Sequence, residues 1–297
     1  MKCDLCPRKC LVDRKKGEKG ICGQTENLKV ARAALHFWEE PCISGDAGSG
    51  AVFFSGCPLH CVFCQNENIA NGTVGKEISL ERLVDIFLEL QEKRANNINL
   101  VTPGHFVPQI VKALDQARKE GLTLPVVYNT SSYETVDTIK MLEGYVDIYL
   151  PDFKYMSPVL SKKYSHAPAY AEVAKAAIAE MVRQTGKAVF VNGEEDNLIL
   201  RGTIVRHLTL PGCMADSMQI LKYLHETYGD MIYISIMNQF TPLSNLEKYP
   251  ELNRRITDEE YETLVDYAIE IGIENGFIQE GDTAEESFIP AFDCEGV

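Results

Sequence analysis

The sequence lacks the features of a membrane-spanning or secreted protein. No apolar run approaches the ~18 residues that a membrane-spanning helix needs. The first ten residues, "MKCDLCPRKC", are basic and cysteine-rich, with no apolar core behind them, whereas a secretory signal peptide requires such a core. We therefore predict a cytoplasmic protein that has no membrane as a partner.

The chain also lacks an excess of positive charge. It has 29 Lys and Arg against 43 Asp and Glu, which gives a net charge of −14 at pH 7. Binding to nucleic-acid phosphates needs clustered Lys and Arg side chains, so we predict no nucleic acid as a partner. The acidity by itself indicates only a well-solvated surface.

Cysteine, by contrast, is abundant and unevenly placed. Seven of the ten cysteines fall in two tight groups before residue 65. Such groups are typical of metal sites rather than of a disulfide framework. We divide the chain into a cysteine-rich metal-binding N-terminal segment (residues 1–24), a connector (25–49) and a core domain (50–297).

From residue 50 onward, short apolar runs alternate with amphipathic helical patterns. Strands that are apolar throughout and separated by helices predict a parallel sheet covered by helices. Six such units are too few for a closed eight-stranded barrel, so we predict an α/β fold, a partial (β/α)6 TIM-like barrel with a small cysteine-rich N-terminal extension. In this architecture the chemistry gathers at the carboxyl ends of the strands. The predicted strands are residues 50–56, 97–101, 125–129, 146–152, 202–212 and 231–240.

Three cysteines directly follow the first predicted strand. The stretch "GCPLHCVFCQN" contains Cys57, Cys61 and Cys64, and thiolates favour zinc, copper(I) or iron–sulfur centres. A closed zinc site or a ferredoxin cluster would want a fourth ligand, and His60 is poorly placed beside Cys61 to bind the same metal. The pattern favours a [4Fe–4S] cluster with one iron open to a substrate or cofactor, and a structural zinc site is the alternative.

The spacing Cys57-x3-Cys61-x2-Cys64, with Phe63 before the last cysteine and Asn66 after it, resembles the radical S-adenosylmethionine (SAM) superfamily. The wider likeness is to a branch that resembles the pyruvate formate-lyase activating enzyme, which acts on a glycyl-radical enzyme. It runs through "HFWEEPCISG", "CVFCQN", "NINLVTP", "YNTSSY", "YLPDFKY", "RHLTLPG" and "MNQF".

This resemblance implies the cofactors, the partners and the reaction. The cofactors are a [4Fe–4S] cluster and SAM, and the partners are an external one-electron reductant of the flavodoxin or ferredoxin type and a glycyl-radical enzyme. SAM chelates the open iron of the cluster, and reduction breaks its C–S bond. The resulting 5′-deoxyadenosyl radical then abstracts a hydrogen atom.

The resemblance also implies which residues bind SAM. Phe63 lies near the adenine, and Asp152 and Lys154 match an Asp-x-Lys pair. In the activating enzymes this lysine contacts the SAM carboxylate, and the aspartate lies beside the ribose or a monovalent cation. The other matching positions hold the methionine or that cation, or border SAM and substrate; they are Asn129, Thr130, Arg206 and His207.

One departure concerns the SAM ammonium group. Most relatives carry a Gly-Gly-Glu-Pro turn after the second strand, and here Leu100, Val101 and Thr102 replace Gly-Gly-Glu. We expect Asn99, Thr102 or backbone carbonyls to bind the ammonium group instead.

The N-terminal group, Cys3-x2-Cys6-x3-Cys10-x11-Cys22, supplies four thiolates. Four thiolates satisfy a closed tetrahedral zinc site, and so short a segment needs a staple in order to fold. Spacing alone puts zinc ahead of a second iron–sulfur cluster and leaves both open.

The leading hypothesis is a radical SAM enzyme that abstracts a hydrogen atom from a glycine of a glycyl-radical partner. One alternative is radical SAM modification of a small molecule or peptide unrelated to such enzymes. Another is a metal-stapled binding module without catalysis.

Overall fold

A computed structural model describes residues 2–193, 197–243, 246–279 and 290–297, and within them ten strands form one sheet. The strands are β1 Leu28–His36, β2 Ser49–Phe54, β3 Lys76–Ile78, β4 Ile98–Val101, β5 Val126–Thr130, β6 Ile148–Pro151, β7 Val189–Phe190, β8 Ile199–Leu208, β9 Tyr233–Met237 and β10 Gly276–Ile278. Their order across the sheet is β10-β9-β8-β6-β5-β4-β2-β1-β3, and β7 pairs with β8.

Helices lie between the strands along the chain and cover the outer face of the sheet. Leu83 and Phe87 of one helix, for example, share a buried cluster with Leu100 of β4. Among the described residues, no helix combines the length and the apolar character needed to span a bilayer. The helices are α1 Pro41–Ser44, α2 Glu67–Ala70, α3 Leu80–Glu92, α4 Val107–Lys119, α5 Val136–Lys140, α6 Pro158–Ser165, α7 Tyr170–Thr185, α8 Met214–Tyr228 and α9 Asp258–Glu270.

Strands β2, β4, β5, β6, β8, β9 and β10 make an open parallel barrel. The pairs β2–β4, β4–β5, β5–β6, β6–β8, β8–β9 and β9–β10 are all parallel. Strands β2, β4, β5, β6, β8 and β9 correspond to the six predicted strands, so the predicted partial barrel is confirmed. The short β10 adds a further parallel strand at one edge.

The predicted connector contains a regular element at residues 28–36. They form the nine-residue strand β1, which pairs antiparallel with β2 and with β3 and so extends the sheet. Half of its apolar residues are alanines, whose small side chains gave a weak strand signal. The stretch predicted to link two parts of the chain therefore also contributes a strand to the sheet.

Local sequence signals place the helix ends. The Ser79 hydroxyl accepts a hydrogen bond from the Arg82 backbone N–H at 3.1 Å and caps α3. Thr257 and Glu260 form a reciprocal capping box at the start of α9. Such caps satisfy backbone N–H groups that have no partner inside the helix.

Alternation along the strands divides the barrel interior into layers. Successive side chains of a strand point to opposite faces, so Val127, Ile148 and Ile204 form one inner cluster. Ile43 of α1 packs into that cluster and is fully buried. Helix α1 therefore fills the inner apolar layer, and the polar residues that follow along the strands lie beyond it.

Candidate functional site

The three cysteines after β2 line a cavity at the carboxyl ends of the parallel strands. This cavity has a volume of about 260 Å³, close to the lower end of the range for small-molecule sites. Its lining contains nearly all of the side chains predicted to act on SAM, namely Cys57, Cys61, Phe63, Cys64, Thr102, Asn129, Thr130, Asp152, Lys154 and Arg206.

The cysteine side chains are held in an environment that suits a metal–thiolate centre. Burial, together with the neighbouring cysteines, raises the pKa of Cys57 to about 11 and that of Cys64 to about 12. The Ser165 hydroxyl lies 3.1 Å from Cys61 Sγ, and the Leu59 backbone N–H lies 3.4 Å from Cys57 Sγ. These donors can stabilise thiolates, but bringing three buried negative charges together requires a cationic centre.

The trio fits a metal cluster better than it fits one ion. Among the described His, Cys, Asp and Glu side chains, no group of three or more is arranged around a single metal ion. The His60 ring lies 2.8 Å from the Ile21 carbonyl oxygen and is thus engaged away from the cysteines. The donor set is therefore three sulfurs on one loop, which can hold a [4Fe–4S] cluster and leave one iron open.

A layer of charged and amide side chains lies in the same cavity. The Arg206 guanidinium bonds Asp152 Oδ1 at 3.0 Å, Glu39 Oε2 at 3.0 Å and Asn129 Oδ1 at 2.6 Å. Lys154 Nζ bonds Asp152 Oδ2 at 2.7 Å. Burial by itself would raise the pKa of Asp152, but Lys154 and Arg206 hold that pKa below its ordinary value. The layer thus pairs two mostly buried carboxylates with two mostly buried cations.

Asn129 and Thr130 are the last two residues of β5 rather than residues after it. Both still line the cavity, because β5 ends there. Asn129 Nδ2 donates to Glu39 Oε1 at 3.1 Å, and the Thr130 hydroxyl bonds Glu134. Burial raises the pKa of Glu134 to about 7.

Thr102 occupies the position where relatives carry the glycine-rich turn. Its φ of 55° lies in the left-handed region, which is uncommon for a β-branched residue. Its backbone N–H donates to the Asn129 carbonyl at 2.9 Å, which fixes this conformation between β4 and β5. Such a conformation stores strain that the surrounding structure must offset.

Two predicted residues do not line the cavity. His207 is buried on the other side of β8, where its ring bonds the Phe153 carbonyl and the Ser217 hydroxyl, each at 2.8 Å. Its neighbour Arg206 takes the inward position, because adjacent strand residues point to opposite faces. Asn99 is buried below the cavity, and its Nδ2 donates to Glu39 Oε1 at 3.0 Å.

Glu39 was not among the predicted site residues. This residue precedes α1, and its carboxylate accepts bonds from Asn99, Asn129 and Arg206. Trp38, which we also left out, is 60% exposed and lines the cavity rim. The sequence feature that could have indicated these residues is the run of polar and aromatic side chains "HFWEEP" beside a strand. Local sequence, however, does not show how far such a run lies from the barrel interior.

The N-terminal segment lies against the cysteine loop. Arg8 bonds the carbonyl oxygens of Pro58 at 2.9 Å and Ser165 at 2.9 Å. Cys3, Cys6, Cys10 and Cys22 line one small cavity of their own. The seven cysteines of the two sequence groups thus line two different, neighbouring cavities.

Comparisons with known proteins identify the family. The Radical SAM superfamily matches residues 51–200, which include the whole cysteine trio. The chain belongs to this superfamily and is a radical SAM enzyme, whose cofactors are a [4Fe–4S] cluster and S-adenosylmethionine. Enzymes of this kind require a reductant.

Individual proteins are similar to this chain in sequence or in fold. An uncharacterized protein of Methanocaldococcus jannaschii is 28% identical over 275 residues, which cover 90% of this chain and 74% of that protein. SuiB of Streptococcus suis bound to S-adenosylmethionine has a TM-score of 0.52 at 13% identity, with 80% of this chain and 51% of that chain covered. HydG, a maturase of the [FeFe]-hydrogenase, has a TM-score of 0.51 at 15% identity, with 78% and 52% covered. The chain spans about half the length of these two solved structures, and the likeness shows the shared fold.

Proposed function

We propose that this protein cleaves SAM reductively and removes a hydrogen atom from a glycine of a glycyl-radical enzyme. The observation that supports the proposal is one cavity that contains both the three cysteines and the charged layer around Arg206. When bound, the reduced cluster supplies one electron to SAM, and the 5′-deoxyadenosyl radical that forms takes a hydrogen atom from the substrate.

Cys57, Cys61 and Cys64 would hold the cluster. Ser165 donates toward Cys61 and would stabilise its thiolate, and hydrogen bonds to cluster sulfurs lower the energy of the more negative state. The ring of Phe63 is buried and stands 6.0 Å, centroid to centroid, from that of Phe240. This aromatic contact fixes the cysteine loop and gives the cavity an apolar wall for the adenine.

The charged layer would bind the amino-acid part of SAM. Lys154 is buried, and the Asp152 carboxylate raises its pKa against the effect of burial, so the ammonium stays charged. It can pair with the SAM carboxylate while Asp152 keeps Arg206 as a second partner. We assign the Thr102 hydroxyl and the Glu39 carboxylate as the partners of the SAM ammonium group. Asn99 lies behind Glu39 and acts by holding the Glu39 carboxylate in place through a hydrogen bond.

A polypeptide substrate suits the open barrel. The sheet does not close on itself, and the exposed Trp38 ring lies at the cavity rim. A protruding aromatic side chain can stack on a backbone segment that enters the cavity. We accordingly propose a cytoplasmic enzyme with a flavodoxin- or ferredoxin-type reductant and a glycyl-radical partner.

The experiment is reductive cleavage of SAM under anaerobic conditions. We expect the reconstituted protein with dithionite and SAM to form 5′-deoxyadenosine, and Cys61→Ala to form none. Cys294→Ala, which removes a cysteine outside both groups, should retain the activity. Absence of 5′-deoxyadenosine from a wild type that contains its cluster would overturn the proposal and favour a binding module.

The substrate class is tested by isotope transfer. A glycyl-radical enzyme with deuterium on its glycine Cα should transfer deuterium into 5′-deoxyadenosine. Cleavage of SAM with no transfer from any such protein, and transfer from a small molecule instead, would reject the glycyl-radical proposal and keep the radical SAM chemistry.

The SAM contacts are tested separately. We expect Lys154→Met to weaken SAM binding at least about tenfold, since it removes a charged partner worth more than ~1.4 kcal/mol in a desolvated site. Lys187→Met removes an exposed lysine that pairs with Asp230, and it should leave the affinity unchanged. Thr102→Val should also weaken SAM binding. An unchanged affinity would reject the proposed contact of Thr102 with SAM and leave the other proposed contacts standing.

A further inference from the structure

The three cysteines that would hold the cluster differ in the groups that donate to their sulfur atoms. Backbone N–H groups of the same segment donate to the sulfurs of Cys57 and Cys64. At Cys61 the donor is a side chain, the Ser165 hydroxyl, whose oxygen lies 3.1 Å from Sγ. A backbone N–H is present whichever residue occupies a position, whereas a side-chain donor depends on the residue type. Hydrogen bonding to Cys61 can therefore be adjusted by a change of sequence.

The backbone around Ser165 is held firmly against the cysteine loop. Ser165 is the last residue of α6 and is fully buried. The carbonyl oxygen of Tyr164 accepts the Val62 backbone N–H at 2.9 Å. Arg8 donates to the carbonyl oxygens of Pro58 and Ser165, each at 2.9 Å. The end of α6 is thus tied to the loop at two points, which keeps the hydroxyl beside the sulfur.

A second hydroxyl lies behind the first. The phenol oxygen of Tyr155 lies 2.8 Å from Ser165 Oγ, and both side chains are fully buried. A serine hydroxyl has one proton, and when this proton points to Cys61 Sγ the serine oxygen can only accept. The Tyr155 phenol then donates the second hydrogen bond. Cys61 also lies near the phenol, but the phenol has one proton, and the 2.8 Å contact directs it to Ser165. A continuous chain of donors therefore runs from phenol to sulfur.

Aromatic packing fixes the phenol at the start of this chain. The Tyr155 ring meets the Tyr170 ring edge-on, with 5.3 Å between their centroids, and it also meets Phe63 of the cysteine loop edge-on, at 6.3 Å. Edge-to-face contacts of this kind favour a defined ring position. In a buried site, successive hydrogen bonds polarise and strengthen one another. The phenol is therefore placed to strengthen the bond from Ser165 to the sulfur.

We propose that Tyr155 and Ser165 form a hydrogen-bond relay that ends on Cys61 Sγ and stabilises the reduced state of the cluster. Tyr155 is a positioning residue, because it acts through Ser165. A ligand sulfur carries more negative charge when the cluster is reduced, and a donor beside it favours that state. The relay thus makes the reduction potential less negative and eases electron transfer from the external reductant. The inference rests on the proposed function only in placing the cluster on the three cysteines.

The experiment is an anaerobic redox titration without SAM. It follows the signal of the reduced cluster that Cys61→Ala abolishes. Ser165→Ala should lower the equilibrium constant for one-electron reduction about tenfold, which equals a shift of about 59 mV to more negative potential. Tyr155→Phe should lower this constant about threefold, because it removes the polarisation and leaves the Ser165 hydroxyl free to rotate.

Two comparisons isolate the relay. Tyr164→Phe is the matched control, because its ring also packs on Phe63 at 6.4 Å but its hydroxyl bonds Glu251 at 2.7 Å. It should leave the potential at the wild-type value. In a Ser165→Ala background, Tyr155→Phe should have almost no further effect, since the relay has already lost its second member.

Replacement of Tyr155 by 3-fluorotyrosine tests the opposite direction. It keeps the ring and the hydroxyl but makes the phenol a stronger donor, so the equilibrium constant for reduction should rise. This variant decides the question if Tyr155→Phe does not fold, and an unchanged or lowered constant would then overturn the proposal.

Two results with the Tyr155→Phe variant would also overturn the relay. One is a potential equal to that of Tyr164→Phe and the wild type. The other is an equal shift in the wild-type and Ser165→Ala backgrounds, which would indicate a direct effect of the phenol on Cys61. The titration does not depend on catalysis. The expected potentials without 5′-deoxyadenosine would refute the proposed activity alone, and SAM cleavage with unshifted potentials would refute the relay alone.

Discussion

Removing the Arg206 guanidinium should strongly destabilise the protein. Its side chain is 14% exposed and pairs with two buried carboxylates, those of Asp152 and Glu39. In Arg206→Met, Asp152 keeps Lys154 at 2.7 Å, whereas Glu39 keeps only two amide donors and no cation. Breaking a buried pair typically costs about 3–5 kcal/mol. Because two hydrogen bonds from amide side chains to Glu39 remain, we expect a loss in the free energy of unfolding at the lower end of this range, about 3 kcal/mol.

The assay is anaerobic urea unfolding of the variant and the wild type, each with its metal content matched. Arg183→Met is the comparison, because Arg183 also pairs with two carboxylates, those of Glu143 and Glu180, but is 52% exposed. Solvent screens such pairs, so its loss should be much smaller. In Arg206→Met/Glu39→Gln part of the stability should return, since the stranded charge is removed as well.

Equal losses for Arg206→Met and Arg183→Met would refute the reasoning. The reasoning would also be refuted if the double variant lost more free energy of unfolding than the two single variants lose together. That result would mean that the Glu39 carboxylate is stable without the guanidinium. Either result would show that water reaches this layer and that the cavity is wetter than the buried ion pairs indicate.

Three further predictions concern single residues. Burial raises the pKa of Glu134 from 4.5 to about 7, so this group favours folding fully below pH 4.5 and loses that contribution as the pH rises toward 7. Glu134→Gln should thus stabilise the protein by about 3 kcal/mol at pH 8 and hardly at all at pH 4, as pH-dependent unfolding would show. Gly56→Ala should lower stability and iron content more than Gly144→Ala, because both have positive φ but only Gly56 faces the Cys22 carbonyl; equal effects would argue against the contact. Thr102→Gly should raise the melting temperature by relieving its φ of 55° while weakening SAM binding, and a lower melting temperature would contradict the strain.

The chemistry of the site was readable because it depends on close spacing in the chain. Cys57, Cys61 and Cys64 lie on one loop, so their residue types and gaps alone define a three-thiolate centre. Asp152 and Lys154 were predicted from the resemblance to an Asp-x-Lys pair, and both line the cavity. The outward orientation of the His207 side chain could not be predicted from the sequence. Sequence does not fix the register of β8 to better than one residue, and a shift of one residue turns each side chain to the opposite face of the sheet.

Sequence by itself therefore determined the alternation of the six main parallel strands with helices and the family, and it supplied the prediction that Cys57, Cys61 and Cys64 bind the cluster. Each of these rests on local periodicity or on short-range spacing. Only the tertiary structure decided that Glu39 joins Arg206 in the cavity, and that the N-terminal cysteines lie beside Gly56. Glu39 and Arg206 are far apart in the chain, and they meet because α1 fills the barrel interior while β8 presents its polar side chain at the same level. Long-range packing of this kind depends on how whole elements fit together, and no local pattern encodes it.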